Sequence, residues 1–122
     1  MESKEVKLIH ETLFRLGANS SYLGFSYVTS CTVMVLENEE FLCQIKVPYI
    51  DTAAEYRTTS KCVERNIRTL LTTIWSNGNR DLLTEIAGAP LHRRPKNKAF
   101  IGMLADYVKK AECPPDAPQK TE

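Results

Sequence analysis

A chain of 122 residues is one domain by length and can bury a modest core, and its 43% hydrophobic and 25% charged residues are ordinary for a soluble globular protein. No apolar run approaches the length of a membrane span, and the N-terminal stretch MESKEVK, with charges of both signs, is not the pattern of a signal peptide. The formal net charge of +1 conceals a basic segment, residues 41–110, whose twelve basic and six acidic side chains are compatible with a polyanionic partner.

Helical periodicity characterises residues 1–40. Apolar side chains recur there at spacings of three and four, the pattern of an amphipathic helix: Val6, Ile9, Leu13 and Leu16. Gly17 is a typical C-terminal stop for this helix, and residues 18–24 are predicted to form a turn. A second helix is predicted from about Phe25 to Leu36. Its inward side chains are expected to be Tyr27, Cys31 and Met34.

The middle of the chain is predicted to hold a short helix followed by a long one. Pro48 fits a helix start better than a helix interior, so the short helix is expected over residues 49–56. Residues 57–60, RTTS, are predicted to form a tight turn in which either threonine is a suitable N-cap. The long helix is expected from about Ser60 to Ser76. Its apolar face predicts five buried side chains: Val63, Ile67, Leu70, Leu71 and Ile74.

The last third of the chain is predicted to be two helices joined by a basic loop. The first helix spans Arg80 to Ala87 and ends at Gly88, and the loop covers residues 90–97. The second helix is expected over residues 99–110. The Pro-rich stretch CPPDAPQKTE, residues 113–122, is predicted to be a disordered tail, which leaves residues 1–112 as a single helical domain.

The sequence lacks the motifs of several classes of chemical site. The four cysteines are scattered without a CxxC pair, and there are two histidines, so neither a zinc site nor a disulfide framework is predicted. Reduced thiols in a cytoplasmic protein are the simpler interpretation. No metal-ligand spacing, glycine-rich phosphate loop or nucleophile motif is present, and we expect no enzyme activity, metal or cofactor. Trp75 is expected in the core, and His10 on an outward face without a role.

The short helix, the turn and the long helix have the layout of a helix-turn-helix unit. Ala53 and Ala54 offer small side chains where the two helices would cross. Polar side chains recur at helical spacing on the outer face of the long helix: Lys61, Glu64, Arg65 and Arg68. Arginine can hold a guanine edge by two hydrogen bonds, glutamate can accept one from cytosine, and lysine can meet guanine or phosphate. An ordinary solvated helix face shows the same periodicity, so this pattern alone leaves both interpretations open.

The same residues and their flanks resemble a known family. The segment AAEYRTTSKCVERNIRTLLTTIWSNGN closely resembles the C-terminal effector domain of the stage-zero sporulation protein A response regulators of spore-forming bacteria. The resemblance continues in IHETLFRLG, in SSYLGFSYV and in RPKNKAFIGMLADYV, and it covers about residues 6–112 essentially without gaps. A collinear match of this extent is far more specific than a generic helix-turn-helix pattern.

The resemblance implies an all-α domain of about six helices with a helix-turn-helix unit, related to winged-helix proteins but without a sheet. It implies a sequence-specific transcription regulator of sporulation that binds double-stranded DNA as tandem or paired copies and recruits or blocks RNA polymerase. In the family this domain follows a phosphoacceptor receiver domain. Since no receiver is present here, we expect either a fragment or a free-standing effector.

The family's recognition-helix motif, Ser-Arg-Val-Glu-Arg-Ala-Ile-Arg-His, can be carried over position by position. It assigns DNA contacts to Glu64, Arg65 and Arg68. Lys61 replaces the family's serine, Cys62 replaces an arginine that reads a base, and Thr69 replaces a histidine near the backbone. These departures predict a weakened or shifted preference for the family's DNA box. The full predicted DNA-binding set is Arg57, Thr58, Thr59, Lys61, Cys62, Glu64, Arg65, Arg68, Thr69, Arg94, Lys96 and Lys98.

A second interpretation stays open beside DNA binding. In it the fold has kept its core and lost DNA reading, and the chain is an interaction module that modulates the full-length regulator or RNA polymerase. The two interpretations differ in their response to salt. Binding through several phosphates weakens steeply as salt rises, whereas a hydrophobic protein interface need not.

Overall fold

The computed structural model describes residues 3–112 and is all-α, with no strand in that range. Its elements are α1 Lys4–Leu16, α2 Leu23–Glu37, a 3-10 helix Glu39–Leu42, α3 Lys46–Glu55, α4 Ser60–Asn77, α5 Arg80–Ala87 and α6 Asn97–Glu112. The predicted fold of about six helices is confirmed. The predicted tail, residues 113–122, lies outside the described residues. No helix within residues 3–112 is long and apolar enough to cross a membrane.

Local sequence sets several of the helix ends. Gly17 and Gly88 end α1 and α5 in the left-handed conformation, with φ of 104° and 79°, as their positions predicted. Thr59 is the N-cap of α4, and its hydroxyl oxygen accepts a hydrogen bond from the backbone N–H of Cys62 at 3.1 Å. That bond satisfies one of the donors that the first turn of a helix leaves without a partner.

Helix α2 lies at the centre and packs against α1, α3, α4 and α6. Gly24, in its first turn, lies so close to α4 that an added Cβ would collide with the carbonyl oxygen of Asn66. The predicted apolar face of α4 is buried: Val63, Ile67, Leu70, Leu71 and Ile74. The predicted polar face is exposed: Lys61, Glu64, Arg65 and Arg68. Packing against α2 and α3 therefore fixes which side of α4 faces outward.

Three helix starts differ from the predictions; the last is that of α6, which begins at Asn97, two residues before the predicted start. Helix α2 begins at Leu23, inside the predicted turn, and α3 begins at Lys46, three residues before the predicted start. Pro48 is the third residue of α3, where it is tolerated because the first N–H groups of a helix have no intrahelical partner. Of the two alanines expected at the helix crossing, Ala53 is buried and Ala54 is exposed.

Three predicted side-chain positions hold only in part. Met34 is half-buried and does not face inward like Tyr27 and Cys31. Trp75 is half-buried and packs against the core, with the guanidinium of Arg80 lying 3.7 Å from its ring centre. His10 is not on an open face, because its ring lies 4.9 Å from that of Phe25. Each of these side chains lies at the edge of the core, where helical periodicity alone does not decide burial.

Candidate nucleic-acid interface

Helix α3, the turn of residues 56–59 and helix α4 form the predicted helix-turn-helix unit. Within the turn, Arg57 takes the left-handed conformation, with φ of 57°. The backbone N–H of Thr58 donates to the carbonyl oxygen of Ala53 at 2.8 Å and closes the end of α3. Thr59 then caps α4. The three predicted turn residues thus reverse the chain within four residues and set the angle at which α4 leaves α3.

The exposed face of α4 has two flanks, because successive helical residues are rotated by about 100°. Lys61, Glu64 and Arg68 lie within about 60° of one another on the first flank. The second flank lies on the other side of Lys61. It carries Arg65, Thr69 and Cys62. A helix with an exposed arc of this width can present side chains to both walls of a surrounding groove.

The first flank lines a groove of about 670 Å³ between α4, the start of α3 and the loop before α6. We call it the basic groove. Six of the twelve predicted DNA-binding residues line it: Lys61, Glu64, Arg68, Arg94, Lys96 and Lys98. Side chains that the sequence interpretation did not select also line it, among them Lys46, Tyr49 and Asn97. Residues far apart in the chain therefore meet at one surface.

The charge of the basic groove is strongly positive. Six cationic side chains line it together with a single carboxylate, that of Glu64. Glu64 Oε2 lies 3.8 Å from Nη1 of Arg68, and both side chains are about half-exposed, so the attraction is weak. Within residues 3–112, none of the other five cations lies in an ion pair with a carboxylate. The groove is therefore available to an external anion.

Asn97 connects the basic loop to α4 and α3. Its side chain is 9% exposed, and Nδ2 donates to the backbone carbonyl oxygen of Glu64 at 2.9 Å. Burial raises the pKa of Tyr49, and its interaction with the Asn97 side chain opposes that rise. The bond to Glu64 holds the loop's cations beside the outer face of α4.

The second flank of α4 is built differently. Cys62 is half-buried, and Asn66 Nδ2 donates both to its carbonyl oxygen, at 2.8 Å, and to its sulfur, at 3.3 Å. The thiol is therefore held along the helix by Asn66. Arg65 and Thr69 are exposed beside it and do not line the basic groove.

The structure thus divides the predicted set into three parts: the basic groove, the turn and the second flank. The sequence interpretation missed Lys46 because it started α3 three residues late. It missed Tyr49 and Asn97 because a buried hydrogen bond between distant residues leaves no local pattern. Among the described residues, no cluster of histidine, cysteine and carboxylate side chains is arranged to hold a metal ion.

One comparison with known proteins bears on this surface. A family model described as the C terminal of the sporulation initiation factor Spo0A matches residues 9–108. The matched residues include the whole helix-turn-helix unit and every residue that lines the basic groove.

Proposed function

Because the chain belongs to the family of the Spo0A C-terminal domain, we propose that the chain binds duplex DNA and reads part of the DNA sequence through α4. Members of this family are sporulation regulators that generally bind DNA and are not enzymes. The same proposal includes transcription regulation in the cytoplasm through RNA polymerase and binding to DNA as paired copies. The turn residues, the second flank of α4 and the basic groove are its proposed contact surface.

The observation that carries the proposal is the convergence of cations in the basic groove. Lys46 comes from α3, Lys61 and Arg68 from α4, and three further cations from the loop and the start of α6. Phosphate contacts supply most of the sequence-independent affinity for DNA, and they position a protein on the duplex. The cations beside the exposed, N-capped α4 support a placement of this helix in the major groove, with the loop along one DNA strand.

The roles of the side chains follow from their positions on α4. Arg65, Arg68 and Glu64 are exposed on its outward arc, where they can reach base edges in the major groove. Lys96 and Lys98 belong to a different segment and stand at the side of that arc, which suits phosphate contacts. Sequence preference is therefore assigned to α4, and general affinity to the loop.

The test is a fluorescence-anisotropy titration of random duplex at several salt concentrations. The logarithm of the binding constant should fall linearly with the logarithm of salt concentration, by about 0.9 per phosphate contacted. Lys96→Gln should weaken binding to every sequence alike and reduce that slope by about one contact. Lys110→Gln is the matched control, since Lys110 is exposed near the other end of α6 and pairs with Asp106 at 3.2 Å.

Sequence reading is tested separately with Arg65→Ala. This variant should lose on the order of 1–3 kcal/mol of binding free energy against the preferred site, because a base contact is removed. Its loss against random duplex should be smaller. If the wild type shows no salt-dependent duplex binding, and neither Lys96→Gln nor Arg65→Ala changes any affinity, DNA binding is ruled out. The interaction-module alternative then becomes the better account of the chain.

A further inference from the structure

A second groove lies at the opposite end of α3. Its volume is about 400 Å³, its walls come from α1, α2 and the end of α3, and it shares no lining residue with the basic groove. We call it the acidic groove, because its charged rim consists of Glu37 and Glu55 and no lysine or arginine lines it. It is not part of the proposed DNA-contact surface.

The negative potential of the acidic groove has two sources. Glu37 is the last residue of α2 and Glu55 the last residue of α3, and neither helix has a basic side chain in its last turn. A helix C-terminus carries a partial negative charge, so each carboxylate adds to a negative end rather than neutralising one. Within residues 3–112 neither carboxylate forms an ion pair, and Glu55 accepts one hydrogen bond, from Ser30 Oγ at 3.2 Å.

The walls of the acidic groove are largely apolar. Val33 and Met34 of α2 are half-buried there, and Val6 and His10 of α1 form the facing side. Tyr56 closes one end and keeps 43% of its surface exposed. A methionine among aliphatic side chains gives a surface that adapts to the shape of an incoming apolar group.

An exposed apolar side chain continues this surface beyond the groove. Phe14 lies one helical turn after His10 on α1, and it is 52% exposed. Both rings contact Phe25, at 5.1 Å and 4.9 Å between ring centres. An apolar strip therefore runs along α1 from the groove, and its length suits a helix better than a single side chain.

We propose that the acidic groove docks a short amphipathic helix of another protein, with apolar side chains against Val33 and Met34 and a lysine or arginine at Glu37 and Glu55. Charge complementarity selects this occupant, since an apolar slot with an unneutralised acidic rim favours a cationic, apolar segment. A second copy of the chain fits less well. The apolar faces of its helices are already buried in its own core, and docking through the six cations of its basic groove would compete with a duplex.

The test uses a short, fluorescently labelled helical peptide of leucine, alanine and lysine, titrated with the full chain. A matched peptide carries glutamine in place of every lysine, which removes the charge without offering an anion to the basic groove. The lysine peptide should bind more tightly than the glutamine peptide. Glu37→Gln and Glu55→Gln should each weaken the lysine peptide by roughly up to fivefold, the range for an exposed ion pair. Glu85→Gln, an exposed carboxylate on α5, is the matched control and should change nothing.

Apolar docking is tested by Met34→Lys, which should abolish binding of the lysine peptide while circular dichroism confirms an unchanged helical content. Glu37→Gln and Glu55→Gln should leave duplex affinity nearly unchanged, since the two grooves share no lining residue. Peptide binding is measured without duplex, so the proposed DNA binding can fail while the peptide still binds.

Three results would overturn the docking proposal. The first is equal binding of the two peptides. The second is unaltered binding of the lysine peptide to a variant that combines Glu37→Gln with Glu55→Gln. The third is a change in the sedimentation coefficient of the chain without peptide in Glu37→Gln or Glu55→Gln, because that result would identify a second copy as the occupant.

Discussion

Arg57 has the least common backbone conformation in the structure. It is the single non-glycine residue with positive φ within residues 3–112. An L-residue pays about 1–2 kcal/mol for the left-handed region, and glycine is the usual occupant of such a position after a helix. The sequence does not predict this conformation, because the pattern RTTS is that of an ordinary turn. An arginine that carries this strain in the turn of residues 56–59 is consistent with a role for its side chain outside the fold, such as the proposed contact with DNA.

Replacement of Arg57 separates strain from charge. Arg57→Gly should raise the free energy of unfolding by about 0.5–1 kcal/mol, since relief of the left-handed strain exceeds the added entropy of the unfolded chain. It should also weaken duplex binding. Arg57→Ala is the control, because it removes the charge and keeps the strain, so it should weaken binding without stabilising the fold. Urea unfolding and duplex anisotropy measure the two effects, and a destabilised glycine variant would contradict the strain.

Cys62 occupies the position at which the family resemblance places a base-reading arginine. Its sulfur is held by Asn66 and is half-buried, so it offers nothing comparable to a guanidinium fork. Lys61 supplies a charge one residue earlier, but about 100° round the helix and toward the basic groove. That position suits a phosphate better than the same base.

The expected consequence is weakened selectivity at one base pair with general affinity largely kept. Cys62→Arg should restore discrimination on the order of 1–3 kcal/mol, the usual size of one bidentate contact. The measurement is selection from a randomised duplex pool with both proteins side by side. Cys43→Arg adds the same charge at an exposed site outside the basic groove and is the matched control. Equally strong selection of the family's box by the wild type would show the interpretation of Cys62 to be wrong.

At the scale of elements, periodicity predicted α4 well because its two faces have sharply different neighbours. Its buried side meets α2 and α3, and its polar side meets solvent, so spacing in the sequence maps directly onto burial. Periodicity could not predict the basic groove. Its second wall is a loop more than twenty residues away, and its geometry depends on Asn97, whose burial and hydrogen bond to Glu64 follow from tertiary packing. Sequence placed the cations of both segments but did not show that they face each other.

Asn97 should therefore act as a positioning residue for the loop. In Asn97→Ala the loop loses its hydrogen bond to α4. The effect of Lys96→Gln on duplex affinity should then shrink, because the lysine no longer has a fixed position. The effect of Arg65→Ala should stay the same, since Arg65 belongs to α4. A double-mutant cycle measures both couplings, with unfolding followed separately to keep every variant folded during the assay. Unchanged coupling of Lys96 in the Asn97→Ala background would contradict this role.

The net charge of +1 of the whole molecule describes neither the basic groove nor the acidic groove. Six cations and one carboxylate line the groove at one end of α3, and two carboxylates line the groove at the other. Charged residues elsewhere in the chain bring the total to +1. Such a separation orients a molecule in the field of a polyanion, with the basic groove toward the duplex and the acidic groove away from it. The central helix α2 contacts the helices on both sides, so the two surfaces are joined through one core rather than through a linker.

Cys31 reports whether that core opens as one unit. It is fully buried in the middle of α2, and its sulfur lies 3.5 Å from the hydroxyl oxygen of Thr52 on α3. Burial raises the pKa of Cys31 to about 11 from its ordinary value of 9.0, with the bond to Thr52 acting in the opposite direction. The thiol is thus both inaccessible and held in its unreactive, protonated form in the folded state. Because the folded pKa is the higher one, its contribution to stability is fully present below pH 9 and is lost as the pH rises toward 11.

A variant in which the other three cysteines are serine should therefore react with a thiol reagent at neutral pH only through unfolding. Its rate should rise with urea concentration with the same dependence as the unfolded fraction, because separating α2 from its neighbours exposes the whole core. A variant that keeps Cys43 as its only cysteine is the control; Cys43 is exposed, and its rate should be fast and nearly independent of urea. A smaller urea dependence for Cys31 than for global unfolding, measured by circular dichroism under the same conditions, would mean that α2 and α3 separate locally. The two grooves would then be able to change shape independently of the rest of the core.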